Sequence, residues 1–114
     1  MALARKYRIT SDKDFDRAFR FGRVLSGQDA TIRFIPNKTG RLRFGVAVSA
    51  KKFPLAVLRN RIKRSVFSEI SASVEDFKNS YDVVVIAQSD PKSGANDLRK
   101  LISRVIGEIK KGLQ

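Results

Sequence analysis

Histidine and cysteine are both absent from this 114-residue chain. Without cysteine there can be no disulfide and no thiolate metal site. Without histidine the commonest general base, the commonest metal ligand and any Ser-His-Asp triad are missing. Hydrolysis by side chains alone would fall to lysine or carboxylate, and carboxylates are scarce: 11 Asp and Glu stand against 24 Lys and Arg. Long apolar runs are lacking as well. The longest, Val83 to Ala87, is far too short to span a bilayer. The opening Met1-Ala2-Leu3-Ala4-Arg5-Lys6 has no apolar stretch of signal-peptide length, which predicts a soluble, cytoplasmic chain without a membrane role. There is no Gly-rich Lys-Ser/Thr phosphate loop, no dinucleotide fingerprint, no zinc spacing and no internal repeat.

What the chain does have is enough apolar material for a packed interior, 42% of its residues, and a formal net charge of +13. The length suits one domain over residues 1–114. The charge opposes compaction and attracts polyanions, so nucleic acid is the first partner to consider, an anionic membrane the second and an acidic protein the third.

Hydrophobic periodicity places the elements. Residues Ala2 to Arg8 are basic and aperiodic, an extended arm. Ser11 followed by Asp14 resembles a capping box, and Phe15, Ala18, Phe19 and Gly22 then recur at helical spacing. Val24 to Ser26 is a short edge strand, Ala30 to Ile35 a strand, and Pro36 to Gly40 a turn. Leu42 to Ser49 is a third strand, with Phe44, Val46 and Val48 on one face and Arg43, Gly45 and Ala47 on the other. Pro54 opens a helix whose stripe is Leu55, Leu58, Ile62, Val66 and Ile70. Tyr81 to Ala87 reads as a strand buried on both faces, Pro91 to Ala95 as a loop, and Leu98, Leu101, Ile102, Val105 and Ile109 as the clearest amphipathic helix. The expected architecture is an α/β sandwich of the α+β kind: a single mixed sheet with packed helices, in the order αβββαβα. The unit from Leu42 to Ala87 would make a parallel pair joined by a helical crossover.

The charge is unevenly placed. Between Asp29 and Glu69 there is no acid, while the same stretch holds ten cations: Arg33, Lys38, Arg41, Arg43, Lys51, Lys52, Arg59, Arg61, Lys63 and Arg64. An ordinary solvated helix intersperses acids that relieve repulsion. A segment without one carboxylate is better explained by an anion that supplies the missing charge. At about 100° per residue, Leu55, Leu58, Ile62 and Val66 share one arc of the helix. Asn60, Arg61, Lys63 and Arg64 fall outside that arc and Arg59 at its edge. Guanidinium forks suit phosphate oxygens, so this face predicts strong, salt-sensitive binding with little sequence readout. On local grounds alone Asn60 is as well read as a plain solvent-facing residue.

Phe15 and Phe19 lie one helical turn apart, a spacing more often used for core packing than for stacking bases. Phe21, Phe44 and Phe77 are expected in the core. Asp12, Asp14 and Asp16 would spread around the first helix as solvated charges favoured by its dipole, not as a metal site.

The run Arg43-Phe44-Gly45-Val46-Ala47-Val48-Ser49-Ala50-Lys51-Lys52, followed by Ala56-Val57-Leu58-Arg59-Asn60-Arg61-Ile62-Lys63-Arg64, resembles the signature of the bacterial ribonuclease P protein subunit. Arg8-Ile9-Thr10-Ser11 through Phe15, Phe19 and Gly22 looks like that family's opening helix, and Tyr81 to Ala87 like its Asp-Val-Val-Val-Ile-Ala strand. The resemblance implies a protein that leaves hydrolysis to a large catalytic RNA with bound Mg²⁺. It further implies that Lys51, Lys52, Arg59, Asn60, Arg61, Lys63 and Arg64 bind RNA. Phe15, Phe19, Arg33 and Arg59 would line a cleft for the single-stranded 5′ leader of precursor tRNA. The implied partners are thus ribonuclease P RNA and precursor tRNA, the protein itself being monomeric, and the implied crossover is left-handed. The sequence departs from the family pattern at Phe53-Pro54-Leu55, where a Gly-containing turn is usual, and by one extra residue between Ser49 and Arg59. Phe67 stands where another Arg is common, and Arg33 where the cleft strand often has an aromatic.

Composition alone leaves a different class open, a stand-alone RNA-binding or ribosome-associated module without a part in cleavage. A protein-only nuclease is disfavoured by the missing histidines and by the lack of an acidic cluster suited to two metals.

Overall fold

Ser11 ends the extended N-terminal segment because its hydroxyl accepts the Lys13 N–H at 3.2 Å, capping helix α1, Asp12–Phe21. The capping box is not closed: Asp14 turns instead to Arg43, 3.1 Å away. We describe residues 3–74, 76–89 and 96–112 of a computed structural model of the chain. Strands β1, Arg23–Ser26, and β2, Ala30–Pro36, follow α1, then β3, Arg43–Val48. Helix α2, Ala56–Ser73, strand β4, Tyr81–Ala87, and helix α3, Asn96–Gly112, complete the order αβββαβα expected from the sequence. The Pro36–Gly40 turn is held by the Asn37 side chain, which accepts the Thr39 N–H at 3.0 Å. Gly40 takes φ +76°, a conformation that a Cβ would disfavour.

The sheet order is β1-β2-β4-β3. β1 pairs antiparallel with β2, β2 antiparallel with β4, and β3 parallel with β4, so the sheet is mixed and the β3–α2–β4 crossover joins neighbouring parallel strands. β4 lies between two strands, and Asp82 to Val85 and Ala87 are buried, which is why it reads as a nearly continuous apolar run.

The faces carry different layers. Ile32, Phe34, Phe44, Val46, Val83 and Val85 pack with Ile62, Val66 and Ile70 of α2 and Leu98, Leu101, Ile102, Val105 and Ile109 of α3 into the main core. On the other face α1 seals a small cluster of Ile9, Ala18 and Val84 with Phe15, Ile35, Ala47 and Ile86.

Several expectations are corrected. The N-terminal arm is docked: Leu3 and Ile9 are buried, Arg5–Tyr7 forms a 3₁₀ turn, and the Ile9 N–H donates to the Phe44 carbonyl at 2.8 Å beside β3. Tyr7 stacks on Phe77 with centroids 4.3 Å apart, so Leu3, Tyr7 and Ile9 hold the arm, leaving Arg5 and Lys6 exposed while Arg8 is half-buried. Phe21 is 73% exposed, because the last turn of α1 carries it past the sheet. Leu55 is 68% exposed: α2 begins at Ala56, so Leu55 is its N-cap and Pro54 precedes the cap. The predicted loop from Pro91 to Ala95 lies outside the described residues. No helix among the described residues is long and apolar enough to cross a membrane.

Candidate nucleic-acid interface

Cross-strand partners share a face, so the register lays out the sheet surface beneath α1 in rows. One row is Ile35, Asp82 and Arg43; the next is Val24, Arg33, Val84 and Gly45; the third is Ser26, Thr31, Ile86 and Ala47.

The first row is an electrostatic lock. Asp82 is fully buried, and Arg43 grips both its oxygens at 2.8 Å. The Asn37 amide donates to it at 2.7 Å, and Arg17 stands 3.8 Å away. The Asp82 hydrogen bonds, partly opposed by burial, raise the Arg43 pKa above the ordinary arginine value. Arg43 therefore leaves the set of ten cations available to an outside anion, because Asp82 and Asp14 already balance it. The only hint in the sequence was an acid at the start of an apolar strand; its partner became legible through the β3–β4 register.

The second row is covered. Val84 is buried against α1, and the Phe15 ring lies on Gly45 so closely that a Cβ there would come 2.5 Å from Phe15 Cζ. Phe15 thus belongs half to the core and half to the surface. Arg33 donates through Nη1 to the Phe19 carbonyl at 2.9 Å, at the negative end of α1.

The third row is only partly covered. Ser26 is exposed, and Thr31, Ile86 and Ala47 are half-buried. The result is a shallow apolar floor beside Phe19, which is 39% exposed. Of the four residues predicted for the cleft, Phe15, Phe19, Arg33 and Arg59, the Phe15 ring lies on Gly45 and Arg33 bonds the Phe19 carbonyl on the α1 side of the sheet. Arg59 is placed on α2, where its Nη1 donates to the Phe53 and Pro54 carbonyls at 2.8 and 2.9 Å. It ties down the loop that enters α2.

Ala47 leads through Val48 and Ser49 into the turn of Lys51 and Lys52, both exposed. Phe53 N–H donates to the Ser49 carbonyl at 2.8 Å and Lys52 N–H to the Ser49 hydroxyl at 3.3 Å, so this turn is built rather than loose. Beyond it, Asn60, Arg61 and Arg64 are exposed and Lys63 half-buried. The first turn of α2 contains no acid, and no side chain caps it. A phosphate would meet free helix N–H groups, lysines and arginines together. The described residues contain no group of three or more His, Cys, Asp or Glu that could hold a metal ion.

The N-terminal cations, basic but aperiodic in the sequence, give no sequence signal of a contact. The Arg8 guanidinium lies over the Phe67 ring, 4.7 Å from its centroid, so the aromatic at the family's usual Arg position serves as a platform for another arginine.

Residues 3–110 match the family model described as Ribonuclease P. The ribonuclease P protein component of Syntrophomonas wolfei is 33% identical over 87 residues, covering 76% of this chain and 72% of that protein. That of Streptococcus agalactiae is 35% identical over 86 residues, covering 75% of this chain and 77% of its own. Among solved structures, a Staphylococcus aureus RNase P protein mutant with defective mRNA degradation activity superposes with a TM-score of 0.68 at 27% identity, covering 92% of this chain and 89% of that one. The Thermotoga maritima RNase P protein shares the fold, with a TM-score of 0.63 at 23% identity and coverage of 86% and 93%.

Proposed function

This chain belongs to the ribonuclease P protein family, and from that premise we propose that it binds ribonuclease P RNA and the 5′ leader of precursor tRNA to promote 5′ maturation. The observation that carries the reading is one adjacency. The partly covered floor of Thr31, Ile86 and Ala47 runs at one end of β3 into the acid-free turn and helix of Lys51, Lys52, Asn60, Arg61, Lys63 and Arg64.

A single strand needs a cationic track for its backbone and flat apolar groups for its bases. Phe19 and the exposed part of Phe15 offer ring surface, while Arg33 offers the guanidinium nitrogens not used on Phe19. Arg59 contributes by fixing the loop and by its remaining donors. Structured RNA needs phosphate contacts on a rigid element, which α2 and its entry turn supply.

In this reading the protein binds, orients and neutralises charge, and the hydrolytic chemistry and its Mg²⁺ belong to the RNA. The donor set supports that division: cations dominate both surfaces, and the cluster that includes Asp14 and Asp82 is already bonded to Arg43. These residues do not fit a Mg²⁺ held by the protein.

The test is cleavage of precursor tRNA by the cognate ribonuclease P RNA at low Mg²⁺, with and without the protein. Rescue of cleavage at the mature 5′ end supports the subunit role. Tight RNA binding without rescue would instead make the chain a stand-alone RNA-binding module.

A further inference from the structure

A second cationic site lies at the other end of β3. Arg5, Lys6, Arg8, Thr10, Arg41 and Arg43 line an open cavity of about 380 Å³ between the N-terminal segment and the start of that strand. It is a row of six residues away from the Lys51–Lys52 turn along β3, or about 20 Å of extended chain. It therefore belongs neither to the floor beside Phe19 nor to the first turn of α2.

The walls are held in place. Leu3 and Ile9 are buried, and Tyr7 stacks on Phe77. Arg41 Nε donates to the Lys6 carbonyl at 3.1 Å, and the Leu42 N–H to the Phe77 carbonyl at 2.7 Å. Holding like charges together without a counter-charge is unfavourable, and the carboxylates near this cavity are spent on Arg43. Arg5, Lys6, Arg8 and Arg41 have no carboxylate partner among the described residues. One donor points the same way: Arg8 Nε is buried and has no hydrogen-bond acceptor. An unsatisfied buried donor is costly, and an arginine donor is best satisfied by an anionic oxygen.

We propose that this cavity binds a backbone phosphate of RNA, a contact separate from the α2 face and from the leader cleft. The RNA source rests on the function proposed above; the phosphate chemistry does not. The site extends the basic surface around the β3 edge, so one RNA can be held at both ends of that strand.

The test uses the double variant Arg5→Gln/Arg41→Gln, which changes two exposed residues and leaves Arg8 on Phe67; circular dichroism and a melt check folding. Inorganic phosphate is titrated into ¹⁵N-labelled protein. The expected result is a saturable shift of the Arg8 Nε–H signal and of amides between residues 5–10 and 41–43, lost in the variant. No shift there, or a shift that survives the substitutions, overturns the site. The second arm measures affinity against salt for ribonuclease P RNA alone and for precursor tRNA alone. A salt slope shallower by about 1, with affinity about tenfold weaker, is expected for the RNA that occupies the cavity, and so identifies the source. Unchanged slopes for both RNAs overturn the RNA assignment. If the unaltered protein binds neither RNA, the proposed function falls, and the phosphate titration still decides the site.

Discussion

Gly45→Ala should destabilise the protein only as long as Phe15 is present. A methyl group at Gly45 would lie 2.5 Å from Phe15 Cζ and 2.6 Å from Cε1, against the roughly 3.5–4.0 Å at which carbons rest. The ring must retreat by about 1 Å or more, and behind it stand α1 and the small cluster of Ile9, Ala18 and Val84. Overpacking of this kind costs about 1–3 kcal/mol, some 4–12 °C in Tm for a chain of this size. Without the ring the balance changes sign. Replacing glycine by alanine inside a strand is worth about 0.5–1 kcal/mol in favour of the folded state. The Ile9 Cδ1 at 3.3 Å is the end of a flexible side chain that can give. In a Phe15→Ala background Gly45→Ala should therefore be neutral or slightly stabilising. The assay is urea denaturation of the four proteins of the cycle, with coupling of about 1.5 kcal/mol or more expected. Equal destabilisation of Gly45→Ala in both backgrounds would refute the claim that the ring dictates glycine here.

Asp82→Ala should cost about 3–5 kcal/mol by denaturant melt, because it strands the half-buried Arg43 cation, whereas the paired change Asp82→Leu/Arg43→Met should cost much less. The raised pKa of Arg43 means that its contribution is complete below the ordinary arginine range and is lost only as pH rises beyond it. Denaturation midpoints from about pH 6 to about pH 9 should therefore be nearly flat, helped by the absence of histidine; a steep slope there would count against this balance. Phe19→Ala should leave Tm nearly unchanged and weaken leader-dependent affinity by about 1–3 kcal/mol, if one base stacks on it. Ser11→Ala should lower stability by about 0.5–2 kcal/mol through loss of the α1 cap, without changing RNA affinity.

Where one side chain period decided the outcome, the sequence was enough. The stripe of α3, that of α2 from Leu58 onward, the doubly buried β4 and the αβββαβα order follow from spacing alone, and the structure keeps them. Failures came where the decision was made by distant partners. Leu55 satisfied the helical period but sits at the cap, where no core reaches it. Phe21 reads as core because it is aromatic, yet the direction of α1 carries it out. The arm reads as extended because Leu3, Tyr7 and Ile9 are spaced too irregularly among its cations to announce docking on β3. Among the site residues, the basic turn and the outer face of α2 were legible from the missing acids. The removal of Arg43 by Asp82 was not, because it depends on the register of strands that are 39 residues apart in the chain.

The placement of the N-terminal segment against β3 covers part of a strand edge. An uncovered strand edge is a template for adding another chain. At one side of this sheet β1 is only four residues long and carries Arg23; at the other, the Arg8–Phe44 bridge screens β3. A formal charge of +13 makes free copies repel one another. An RNA bound as proposed above would cancel that repulsion. It is then that the screened edges matter, since they are what remains to prevent strand-to-strand aggregation when many neutralised copies are crowded together.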